Sequence, residues 1–347
     1  DLIASFATNV GHLFDAVRVE RTSASIAALL NLSYAQSSAI VNDGTFTLTR
    51  GAQFLTTPST SLVTFRNCAF TAPAANTDAA GAARFLAGAV SFLDCSVAQQ
   101  YNSLSTITAT NIYAKRTTFD VAWGKVSGST PGFNAGVNGT LELDDCVFTN
   151  ANPLQGGYRP IYGQPSGGGD PLISAFGNVR MHHVDFSTSA EVENSGGTSD
   201  PDFTFGMFLD VNRTVGTDQA PRVYLEDTGF FTSMPRHVNF DTDTDGSFFR
   251  FYDVNSGTAS GAGRSRVEIV NFRTAAQPGA SVQAGTESLT RFFRAQMTDV
   301  IIRDTTDYTW GTGGFTYAVY PQEYLLIAGT LTNLTLDNVK ANVTLCP

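Results

Sequence analysis

An eight-residue phrase recurs along this chain, and it restricts the fold to architectures that stack one strand unit many times. The phrase reads apolar, any, apolar, any, Asn or Asp, small, any, aromatic or apolar. Its clearest copies are Val63-Thr-Phe65-Arg-Asn67-Cys68-Ala-Phe70, Val90-Ser-Phe92-Leu-Asp94-Cys95-Ser-Val97 and Leu141-Glu-Leu143-Asp-Asp145-Cys146-Val-Phe148. Others run from Ile112 to Phe119 and from Val179 to Phe186, and begin at Val223, Val267, Val300 and Leu334, with a degenerate copy at Phe46. The fifth position reads Asn67, Asp94, Arg116, Asp145, His183, Asp227, Asn271, Asp304 and Asn338, and seven of these nine are Asn or Asp. Asn and Asp tolerate left-handed backbone angles and bond to nearby backbone. Apolar residues at period two followed by such a residue predict a short strand that bends sharply into the next one.

Phrase starts lie 17 to 44 residues apart. A solenoid rung needs about two dozen residues, so the longer intervals must hold loops or further strands. Strand-like text precedes the later copies, at 172–176, 203–211, 248–254, 289–295 and 324–328. The unit is therefore strand, turn, phrase strand, Asx bend, strand. A β-sandwich also has many short strands, but it does not require one phrase with an Asx at a fixed place. The predicted fold is all-β, a parallel β-helix. Residues 1–45 are expected to form an N-terminal segment that includes a capping helix over Thr22 to Ala39, since an open solenoid end must be covered. Residues 46–347 are expected to form the β-helix itself. The Gly/Pro-rich stretch from Asn152 to Pro171 reads as a long loop, because the same phrase resumes after it.

The phrase copies "VTFRNCAF", "VSFLDCSV" and "LELDDCVF" resemble the right-handed β-helix superfamily that includes pectate lyases, phage tailspikes and bacterial surface adhesins. The resemblance spans roughly Phe46 to Val343 and identifies an architecture without a catalytic motif, so function does not follow from it. It implies a right-handed coil. Spikes and decoration proteins of this architecture are commonly trimers, which sets the expectation of a homo-oligomer, preferably a trimer, on a virion surface or an extracellular cell surface. Other structural proteins and surface glycans are the expected partners.

Composition narrows the function classes. The net charge is −10 and only Lys115, Lys125 and Lys340 are lysines among 21 basic residues, which argues against nucleic-acid binding. No apolar run approaches the ~20 residues of a membrane span. The chain starts at Asp1 rather than Met, as a processed or partial chain does. Cys68, Cys95, Cys146 and Cys346 show no CxxC spacing, so a structural zinc site is not expected. Three of them share the sixth phrase position and read as small buried hydrophobes, with a Cys68–Cys95 disulfide open if their rungs are adjacent.

No catalytic residue is assigned from the sequence. The acid pairs Asp144/Asp145 and Glu226/Asp227 alternate across a strand and are poor partners for glycoside hydrolysis, and Glu191/Glu193 has no supporting context. His182 and His183 sit inside a phrase copy and read as structural or exposed. Tyr158 and Tyr162, and then Tyr308, Trp310 and Tyr317, mark aromatic Gly-rich segments suited to stacking on sugars or to protein interfaces. The leading alternative to a structural or adhesive role is a secreted carbohydrate-active enzyme, either a polysaccharide lyase or a glycoside hydrolase. An adhesin or filament subunit is a third.

Calcium is the one cofactor that the sequence suggests. Asp241, Asp243 and Asp245 followed by Gly246 resemble the start of an EF-hand loop, although Tyr252 stands where the closing Glu belongs. Calorimetric titration of calcium-stripped protein is expected to show binding that Asp243→Ala abolishes. Absence of heat, with no rise in melting temperature on adding calcium, would remove the site.

Overall fold

The computed structural model describes residues 3–5, 11–20, 30–32, 38–47, 53–56, 61–71, 84–99, 107–121, 133–149, 173–175, 177–187, 209–213, 220–232, 249–253, 264–274, 291–305, 323–328, 333–339 and 343–346. These residues are all-β, and their strands pair in parallel. The arrangement is a stack of long parallel ladders, compatible with a parallel β-solenoid.

Three ladders run through the stack. The central ladder is made by the phrase strands Gly11–Asp15, Ser38–Asn42, Leu62–Arg66, Arg84–Leu93, Ile107–Lys115, Phe133–Asp144, Asn178–His182, Arg222–Glu226, Arg266–Val270, Asp299–Arg303 and Asn333–Asp337. Successive copies pair in register, Val63 with Val90, Val90 with Ile112 and Val223 with Val267. The repeat therefore varies from 22 residues (90 to 112) to 44 (223 to 267) without loss of register. A leading ladder precedes each phrase. It contains Ile173–Ala175, Leu209–Arg213, Phe249–Asp253, Arg291–Gln296 and Glu323–Ala328, where the sequence predicted the extra strands. A shorter ladder follows the bend, from Arg18–Glu20 through Val147–Thr149. It continues through a bridge at Asp185 to Gly229–Phe230 and Arg273–Thr274.

All nine fifth-position residues adopt positive φ, between 47° and 55°. The bend N–H then reaches the next rung's carbonyl, as from Asn67 to Leu93 at 2.9 Å and from Asp145 to His182 at 3.0 Å. Asp43 and Ala16 share this geometry, both with φ 53°. They expose two phrase copies that the sequence reading did not phase. Phe46 does not start a copy, because it pairs with Phe70 and so ends one that begins at Ala39. A further copy begins at His12, which pairs with Ala39.

The expected helix over Thr22 to Ala39 is replaced by strand wherever that segment is described. Leu30–Leu32 pairs with Ile3–Ser5 and with Gln53–Thr56, and Ser38 opens the next phrase strand. Parallel partners on both sides outweigh the high helix propensity of Leu and Ala. The rest of that segment lies outside the described residues.

Phrase positions one and three bury almost completely, as in Val63, Phe65, Leu141, Leu143, Met181 and Leu225. The end copies differ: His12 and Phe14 of the first described copy are only partly buried. Leu334 packs only partly against the core and Leu336 is 43% exposed, since no described central strand follows Asn333–Asp337. Position eight builds an aromatic column beneath the bends: Phe46 on Phe70 at 5.1 Å, Phe119 on Phe148 at 5.3 Å and Phe148 on Phe186 at 5.0 Å. Where Val97 interrupts the column, Phe92 meets both Phe70 and Phe119 with its ring near perpendicular to theirs.

Two substitutions test this packing. Phe148→Ala removes a fully buried ring from the column and is expected to cost about 3–5 kcal/mol. Gly139 sits where residues 136–139 bulge opposite Thr110, and a Cβ there would lie 1.7 Å from the Thr110 carbonyl oxygen. Gly139→Ala is expected to destabilise by several kcal/mol because backbone must move. Urea unfolding that leaves either variant within about 0.5 kcal/mol of the parent would contradict this packing.

Candidate functional site

Phrase positions two and four point outward, and stacking them in register creates a face that no single copy reveals. Position four aligns Lys115, Asp144, His182 and Glu226 on successive rungs. Position two aligns Tyr113, Glu142, Arg180, Tyr224 and Glu268 beside them. The ladder thus brings together acids, bases and tyrosines that are far apart in the chain, at strand spacings of about 4.8 Å.

Acids on this face meet donors from their own or neighbouring rungs. Asp144 takes Lys115 Nζ at 2.5 Å on one oxygen and His182 Nδ1 at 2.8 Å on the other. Glu142 faces Arg180 at 3.5 Å. Glu268 receives Arg266 at 2.5 Å and Arg303 at 2.9 Å. Glu226 accepts the Tyr224 hydroxyl at 2.9 Å. Lys115 and His182 together hold the Asp144 carboxyl below the usual carboxylate range. In return the Asp144 hydrogen bond raises His182 above the ordinary imidazole value.

A second column runs along the bends. Asn67 donates to Asp43 at 2.6 Å, Arg116 grips Asp94 at 2.5 and 2.8 Å, and His183 Nδ1 lies 2.7 Å from Asp145. Asn271 donates to Asp227, and Asn338 to Asp304 at 2.9 Å. From Asp43 onward the described bends alternate strictly, an acid on one rung and a donor on the next. Near the start of this column a shallow groove of about 510 Å³ is lined by Asp43, Asn67, Cys68, Asp94, Cys95 and Arg116 among others.

The sequence reading missed the outer face because it compared neighbours along the strand. Asp144 and Asp145 do diverge, one to Lys115 and His182, the other to the bend partner His183. Asp144 gathers its partners across rungs instead. The signal was present in positions two and four of the copies starting at Ile112, Leu141, Val179 and Val223, read as columns. His182 and His183 are both about half exposed, as expected. The calcium candidates Asp241, Asp243 and Asp245 lie outside the described residues, as do Tyr158, Tyr162, Tyr308, Trp310, Tyr317 and the Glu191/Glu193 pair. Among the described residues no cluster of three His, Cys, Asp or Glu side chains could hold a metal ion. Among them also, no helix is long and apolar enough to cross a membrane.

No family model, no curated protein and no solved structure matches this chain.

The Asp144–His182 contact has a pH signature. His182 is raised, so its contribution is complete below the ordinary imidazole value of about 6.5 and fades as pH rises through the higher folded value. Asp144 is lowered, so its part is present above the ordinary carboxylate value and is lost on acidification. With His182 44% exposed, solvent screening holds the effect to a few tenths of a kcal/mol. An NMR titration is expected to show His182 titrating above 6.5 in the parent and falling back in Asp144→Asn. An unchanged midpoint would dissolve the pairing.

Proposed function

We propose that this chain is a non-catalytic structural or adhesive β-helix protein of a virus particle or cell surface, coiled right-handedly and assembled as a homo-oligomer, most simply a trimer. One observation carries the reading: the charged side chains of the outer face and of the bends bind from rung to rung. A surface wired in this way stiffens the stack, and it presents paired donors and acceptors to hydroxyl-rich ligands such as glycans. The resemblance to tailspikes and surface adhesins supplies the context outside the cytoplasm, and the trimer comes from the same source.

A specific cluster favours a second reading, a secreted carbohydrate-active enzyme. Asp144, His182, Tyr224 and Glu226 occupy adjoining positions on one face, and such groups serve acid–base chemistry on sugars when their proton affinities are poised for it. The first reading is preferred because Asp144 is committed to two partners, the Lys115 ammonium and the His182 imidazole.

One experiment with two arms separates the readings. Native mass measurement is expected to give an oligomer or a larger particle. Incubation with acidic and neutral polysaccharides is expected to release no oligosaccharide. A monomer that depolymerises one of them, and loses that activity in Glu226→Gln and His182→Ala, would establish the second reading.

A further inference from the structure

Cys68 and Cys95 occupy the sixth position of successive phrases. The pairings on either side of them, Arg66 with Leu93 and Ala69 with Ser96, leave no slip between the two residues. The Ser96 N–H donates to the Cys68 carbonyl at 2.9 Å, which pins the rungs together at this point. Adjacent parallel strands lie about 4.8 Å apart, inside the window of roughly 4.4–6.8 Å between α-carbons that a disulfide accepts. The thiols are free: Cys68 donates to the Val41 and Arg66 carbonyls at 3.4 and 3.3 Å, and Cys95 to the Phe65 and Leu93 carbonyls at 3.5 and 3.2 Å. They are 2% and 5% exposed, and both residues line the groove beside Asp94 and Arg116.

We propose that Cys68 and Cys95 are a closable dithiol, a modification site at which a small dialkyl disulfide makes a covalent staple between neighbouring rungs. Cys146 is excluded by place: Thr117 fills the same column on the intervening rung, where its hydroxyl caps the Cys95 N–H at 3.4 Å. The chemistry balances as two exchanges. One cysteine thiolate attacks the reagent's S–S bond and expels one alkyl thiolate, leaving a mixed disulfide. The second cysteine thiolate attacks the protein sulfur of that mixed disulfide and expels the other. The two protons lost by the cysteines end on the two alkyl thiols released, and the reagent takes up the two electrons. The inference is independent of the proposed function.

The test uses the folded full chain and 2-hydroxyethyl disulfide. After oxidation, remaining thiols are alkylated in denaturant and the protein is cleaved with trypsin. Cleavage after Arg66, Arg84 and Lys115 puts the two cysteines on separate peptides, 67–84 and 85–115. The expected result is these two peptides joined, separable by reductant, with a melting temperature raised by a few degrees in the oxidised protein. Cys346→Ser is expected to give the same joined pair. In Cys95→Ala the reagent is expected to leave the melting temperature unchanged. Recovery of both cysteines in alkylated form from protein that keeps its native circular dichroism would overturn the proposal. So would a dominant link to Cys146 or Cys346.

Discussion

Everything in this stack depends on one residue per rung being held at positive φ. The phrase strand leaves the core face, turns through that residue, and delivers its next apolar side chain back beneath the bend. Because the turn consumes a fixed number of residues, successive phrases meet in register while the intervals between them differ twofold, from 22 to 44 residues. Length variation is thereby diverted to the other connections, and the bend column stays unbroken. Left-handed geometry costs an L-residue roughly 1 kcal/mol unless a short polar side chain offsets it, which explains the dominance of Asn and Asp. Arg116, His183 and Ala16 adopt it as well. For Arg116 and His183 the offset comes from the acid on the preceding rung.

The core shows how such a stack tolerates imperfect repeats. The position-eight column uses Phe wherever it can, yet Val97 interrupts it and Thr274 ends it. Rings then arrive from other positions. Phe65 and Phe92 enter from position three and stack at 5.5 Å, and Phe272 enters from position six to meet Phe249 at 5.2 Å and Phe293 at 4.8 Å. Filling the volume matters more than keeping its donor at a fixed place, which is how close-packed interiors behave.

These features differ in how well the sequence discloses them. Inward apolar positions and the Asx bend are local, so a single copy such as Val63 to Phe70 suffices to read them. The first two rungs escaped because their cues are weak: Ala39, Gly44 and Ala16 stand where other copies carry larger or more polar residues, and Phe46 mimics a phrase start. The segment around Leu30 misled because helix propensity is local, whereas its strand partners at Ile3–Ser5 and Gln53–Thr56 are distant in sequence. The outer face was hardest. The approach of Lys115, Asp144 and His182 depends on the register of three rungs, and register is a property of the stack rather than of any one phrase.

The alternation of acid and donor along the bends also says how such a chain can change length. Removing one rung would set Asp beside Asp, or donor beside donor, at the cut and leave one side chain there without its partner. Removing or duplicating two rungs restores acid above donor and leaves both flanks as they were. The unit that preserves the bend pairing is therefore a pair of turns.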